Sequence, residues 1–149
     1  MSNRTETSDF WVVFVKDEDA FSEYFGESTD YYQAIFGHNP AFVRPAKKGH
    51  PRTDLPPLSH FIGDQGQDWY DHDMSEMGFK ADALTVCELV KGASYSDQWA
   101  GELASRVAAL GIGKVNGFCF MTSGAVAKPR SVTLQDFTVH YVGKITYRI

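Results

Sequence analysis

The chain is poor in the residues that announce most chemistries. Only two cysteines occur in 149 residues, Cys87 and Cys119, too far apart for any metal-type spacing and with no secretory leader before them. That excludes a disulfide scaffold and a zinc module, and the expectation is two buried free thiols in a reducing cytosol. The longest apolar run near the N-terminus, Phe10–Val15, is far too short to cross a bilayer, and Met1–Asp9 is polar and acidic. A basic surplus is also lacking: the net charge is −5. Phosphate neutralisation needs a basic face, so nucleic acid is not the expected partner.

Catalytic motifs are missing too. No paired histidines stand at zinc-binding spacing, and Ser123-Gly124 lacks the glycines of a nucleophile elbow. Nothing in the sequence pairs either cysteine with a histidine, as a nucleophilic dyad would need. Gly111-Ile112-Gly113-Lys114 has neither the spacing nor the hydroxyl residue of a phosphate-cradling loop and reads more simply as a helix stop.

What is present is the composition of one globular domain spanning 1–149, with 43% apolar and 22% charged residues and eleven Phe, seven Tyr and three Trp. Charge is uneven along it. Met1–Phe36 holds eight acidic residues against two basic ones, while Gly37–Leu58 is basic and holds most of the prolines. Acidic stretches suit a basic protein partner.

Phe10–Lys16 reads as a strand buried on both faces, and Asp17 as the cap of a following helix with Phe21, Tyr24 and Phe25 on one face and Gly26 as its stop. Tyr31–Phe36 fits a helical turn or a strand, and Gly37–Leu58 an irregular excursion. Ser59 caps a short helix ending at Gly63 or Gly66. Thr85 and Glu88 form a capping box ahead of a short helix stopped by Gly92. The strongest helix is Ser96–Leu110, capped by Ser96, striped by Trp99, Leu103 and Val107 and by Ala100, Ala104 and Ala108, and ended by Gly111. Lys114–Thr122, Val132–Val142 and Lys144–Ile149 have strand composition, with a reversal expected at Gly143-Lys144. Strands gathered near the C-terminus favour an α+β fold, with an antiparallel or mixed sheet of four to five strands and helices mainly on one face.

Ser59–Asp73 is the most informative stretch. Asp64, Asp68, Asp71 and Asp73 with His72 place four carboxylates and an imidazole within ten residues. Their positions do not match a calcium loop. In an extended chain Asp71 and Asp73 share a face and His72 points away. Trp69 and Tyr70, set among acids, have the composition of a protein-binding hot spot, although Trp69 could equally pin the loop to the core.

The strand Phe10–Val15 with Tyr24-Phe25, the run Ser59-His60-Phe61-Ile62-Gly63-Asp64-Gln65-Gly66, then Trp69-Tyr70-Asp71-His72-Asp73, Ser94-Tyr95-Ser96 and Val115-Asn116 resemble the bacterial immunity protein 22 family. The resemblance implies a cytoplasmic, non-enzymatic antidote that binds a cognate polymorphic-toxin domain, with no cofactor. A basic nuclease would suit the acids. Asp64, Asp68, Trp69, Tyr70, Asp71 and Asp73 are the expected contacts. The alternatives are a metal-dependent hydrolase using Asp71, His72 and Asp73, and a small-ligand module lined by aromatics. An exposed edge among the C-terminal strands would let two copies pair into a homodimer.

Overall fold

The apolar run that opens the chain is the centre of the structure. In the computed structural model, which describes residues 4–31, 56–83, 85–135 and 137–149 (the His72 side chain excepted), this strand, β1, spans Thr5–Phe14. Ser8–Val13 are all buried. Antiparallel neighbours pair with both of its edges: β3 (Gly117–Thr122) on one side and β5 (Thr138–Arg148) on the other. With β2 (Ser75–Phe79) beyond β3 and β4 (Val132–Thr133) beyond β5, the sheet order is β2-β3-β1-β5-β4.

Because side chains alternate along a strand, β1 feeds two cores. Trp11 and Val13 enter one with Phe21, Tyr24, Phe25, Phe61 and Ile62; Phe10 and Val12 enter the other with Leu89, Trp99, Leu103 and Val107. The helices α1 (Glu18–Phe25) and α2 (His60–Asp64) cover the first face, and α3 (Val86–Val90) and α4 (Ser96–Ala109) the second. The α+β class and the antiparallel five-stranded sheet are as expected. The helices, however, divide between two faces instead of lying mainly on one, as a central strand apolar on both sides requires.

Local signals operate as read. Asp17 accepts a hydrogen bond from Ala20 N (2.8 Å), Ser59 from Ile62 N (3.1 Å) and Thr85 from Glu88 N (3.0 Å). Trp99, Leu103 and Val107 form the buried stripe of α4. Its cap differs from expectation: Ser96 lies inside the helix, and the N-cap is Tyr95, held at φ 58 with no side-chain bond to the helix. Cys119 is buried as expected, whereas Cys87 is exposed, because the short α3 turns Leu89 and Val90 inward instead. Most of the two segments 31–36 and 37–58 lies outside the described residues; at their margins Tyr31 and Leu58 are buried.

The C-terminal strands depart most from the sequence reading. No reversal occurs at Gly143-Lys144. β5 is continuous, and the register shift opposite Phe10 and Trp11, which pair with Gly143 and Tyr141, is a β-bulge that Gly143 accommodates at φ +125. The chain instead reverses after β4, where Leu134 N donates to Phe137 O (2.9 Å). Glycine at positive φ serves bulge and turn alike, so sequence cannot separate them. β2 went unread because a half-buried edge strand interrupted by Gly78 has no periodicity. That glycine is needed: a Cβ there would stand 2.6 Å from the Phe118 ring.

Where β1 ends, the backbone stays buried without a strand partner. Asn116 supplies one: its Oδ1 accepts from Val15 N (3.1 Å) and its Nδ2 donates to Val15 O (2.7 Å). Asn116→Ala should therefore lower unfolding free energy by about 2–4 kcal/mol, the cost of two buried groups left unpaired. Asn116→Asp should fail to rescue, since an acceptor would replace the donor facing Val15 O. Urea denaturation of the three proteins reads both effects.

Candidate functional site

The segment 59–73 turns out to work largely beneath the surface. After α2, Gly66 adopts φ +84 and swings the chain back across the core. Gln65 then pairs with the backbone of Arg130 in both directions, accepting from its N (2.8 Å) and donating to its O (3.0 Å). Gln67 does the same for the next stretch of that loop, accepting from Ala127 N (2.7 Å) and donating to Ala125 O (3.0 Å). Both glutamines are buried. An amide side chain carries one acceptor and two donors, so it can replace a strand edge where no strand runs. The loop 123–131 is held to the core in this way, and Trp11 Nε1 adds a bond to Arg130 O (3.2 Å).

The expected contact residues are dispersed by this arrangement. Tyr70 is 2% exposed and Asp68 7%, and the Asp68 carbonyl accepts from Leu58 N (2.8 Å). Trp69 packs, half-buried, against the first core. Asp71 builds a turn, accepting from Asp73 N on its side chain (3.0 Å) and from Met74 N on its backbone (3.0 Å). That turn delivers the chain into β2. Asp64 and Asp73 line different concavities, on opposite faces of the sheet. The aromatic pair therefore anchors the segment rather than crowning it.

Asp64 opens into a groove of about 650 Å³ between α1, the end of α2 and the β4–β5 turn. Its floor is aromatic. Tyr24 stands edge-on to Phe137, with ring centroids 4.7 Å apart, and Leu134, 37% exposed, extends the apolar strip. The rim is anionic: Asp17, Asp19, Glu23 and Asp64 line it, with Lys16 and His60. A smaller hollow continues past Glu23 and His60 and adds Glu27 and Asp30. Helix periodicity explains the juxtaposition, because α1 buries Phe21, Tyr24 and Phe25 and leaves Asp19 and Glu23 on its outer side.

Tyr24 links floor to rim by donating to Asp64 Oδ2 (2.8 Å). Burial, then the hydrogen bond to Asp64, pushes its phenol well above the ordinary tyrosine range. Asp64 was named from sequence, but the α1 carboxylates beside it were not. The signal for them was the acidic excess of the first 36 residues.

Among the described residues no group of three His, Cys, Asp or Glu side chains is placed to hold a metal ion. The Asp71–His72–Asp73 set falls partly outside them, since the His72 side chain is not described. Cys119 lies within β3, where burial raises its thiol far above the range in which thiolate forms. No helix among the described residues is long and apolar enough to cross a membrane.

Comparison with known families gives one match, to a family described as Immunity protein 22, over residues 9–148. No curated protein and no solved structure matches the chain.

Two outcomes follow from the local chemistry. Gln65→Ala should cost about 1–3 kcal/mol of stability, read by urea unfolding, because Arg130 N loses its partner while Arg130 O keeps the bond from Trp11 Nε1. The raised Tyr24 phenol contributes stability that is complete below its unfolded value of 10.0 and is lost as pH rises beyond it. Tyr24→Phe should flatten the alkaline fall in stability and remove one late-titrating phenol from the ultraviolet absorbance titration.

Proposed function

The chain belongs to the Immunity protein 22 family, and from that premise we propose that it neutralises a cognate polymorphic-toxin domain in the cytoplasm by binding it directly through the groove over α1. The family match over 9–148 is the observation that carries the reading. The groove supports its location. A half-apolar trough edged by carboxylates combines the features of a protein interface: aromatic surface to exclude water and charge to choose the partner.

The partner should present a basic, convex surface. Asp19, Glu23 and Asp64 steer it and pair with its lysines and arginines, and Leu134 and Phe137 supply the apolar contact. A nuclease domain fits this description, because a site built to hold phosphates is itself basic. Blocking such a site requires affinity without turnover, which suits a surface whose acids form no acid–base pair. Asp68, Trp69 and Tyr70 then serve the interface by holding Asp64 and the α2 end in place.

Long-range steering predicts a kinetic signature. The double variant Asp19→Lys/Glu23→Lys should slow association with the toxin domain encoded beside this chain by about tenfold or more, and weaken the salt dependence of the rate. Stopped-flow binding measures both. Co-expression with that neighbour tests the reading itself: growth without rescue, and no complex on copurification, would sink it.

A further inference from the structure

The second face of the sheet carries a concavity of different character, into which Asp73 opens. It lies where β1, β3 and β5 run out together. Ser8, Phe120 and Tyr147 form its buried floor, and Ser8 Oγ and Tyr147 OH share a hydrogen bond of 2.9 Å. Its walls are the entry to β2 and the α3–α4 connection. Two of the large apolar side chains exposed in the structure, Met74 at 44% and Tyr95 at 51%, stand on its rim. Tyr95 is the one described non-glycine residue at positive φ, and its ring lies 6.4 Å from that of Tyr147.

Two carboxylates are fixed at this cleft by the fold. Glu6 Oε1 accepts from Thr122 Oγ1 (2.8 Å) and Glu76 Oε2 accepts from Ser94 N (3.0 Å). No Lys, Arg or His is among the described residues lining it. Burial raises the Tyr147 phenol and the Ser8 hydrogen bond opposes that; the negative charges of Glu6 and Glu76 then add to the rise, so both carboxylates bear on the cleft floor.

The size and the layout of these groups select the occupant. A volume of 220 Å³ suits one long side chain and is below the range of about 300–1,000 Å³ usual for small-molecule sites. The acids do not converge as a metal site would. Separated acceptors beside an exposed ring match a planar cation whose several N–H groups point outward and whose faces stack, which is a guanidinium and not a compact ammonium.

We propose that this cleft receives an arginine side chain of a protein partner, with the guanidinium held between Glu6 and Glu76 and its face against the Tyr95 ring. That the arginine belongs to the toxin rests on the functional reading above; that the cleft holds a guanidinium does not.

The test uses the full chain, isotopically labelled, and the peptide acetyl-Gly-Arg-Gly-amide followed by nuclear magnetic resonance. Saturable shifts are expected at the Ser94 and Tyr95 amides. The same peptide with citrulline in place of arginine should give none, and the lysine peptide should bind more weakly. Glu76→Gln keeps an acceptor for Ser94 N, and Tyr95→Asn tolerates the left-handed backbone, so both should fold while weakening the arginine peptide by about tenfold or more. Absence of saturable shifts in the wild type, equal shifts with citrulline, or unchanged binding in both variants would overturn the proposal. Loss of toxin binding by the wild type alongside intact peptide binding would remove the toxin reading and leave the arginine cleft standing.

Discussion

A backbone that is buried must still find a partner for every N–H and C=O, and this requirement shapes the whole chain. β1 meets it along its length through strands on both edges, which lets it lie between two hydrophobic cores. Beyond the strands, three buried amide side chains take over. Asn116 pairs with Val15, Gln65 with Arg130, and Gln67 with Ala125 and Ala127. Each gives a donor and an acceptor to backbone that no strand reaches. The loop 123–131 and the segment 59–73 are thereby fastened to each other, and the start of β2 follows from that fastening.

A second buried polar group sets the register on the other side. Asp9, fully buried, receives Lys144 Nζ at 2.7 Å and Tyr141 OH at 2.6 Å on the same oxygen, while its Oδ2 has no hydrogen-bond partner among the described residues. Such an arrangement adds little net stability over an apolar one, but it discriminates between registers. Tyr141 and Lys144 flank the bulge at Val142 and Gly143, so a slip of β5 by one residue would bury Asp9 with no cation. The register in turn fixes where β5 begins, and hence where the β4–β5 turn sets Leu134 and Phe137 against α1.

The two clefts are built alike. Each puts carboxylates around aromatic or apolar surface, and in each the fold already uses part of the polar capacity: Tyr24 on Asp64, Thr122 on Glu6, Ser94 on Glu76. Carboxylates held by such bonds are pre-oriented, so a cationic partner orders less side-chain freedom on binding. The grooves lie on opposite faces of the sheet.

Whatever is settled within a turn of helix or a few residues of strand is legible in the amino-acid order. Asp17, Ser59 and Thr85 cap because their oxygens reach an N–H three residues on, and Trp99, Leu103 and Val107 share a face because a helix repeats every 3.6 residues. Ile145 and Tyr147 alternate inward for the matching reason in a strand. Tertiary structure decided everything whose partner is distant in the chain. Gln65 and Arg130 lie 65 positions apart, so nothing near Gln65 reveals that it holds a loop. Gly143 became a bulge because Asp9 and Trp11 claimed the residues on either side of it. Tyr70 went inward, and the carboxylates of α1 came to surround Asp64, because packing against a shared core joins segments whose sequences carry no sign of one another.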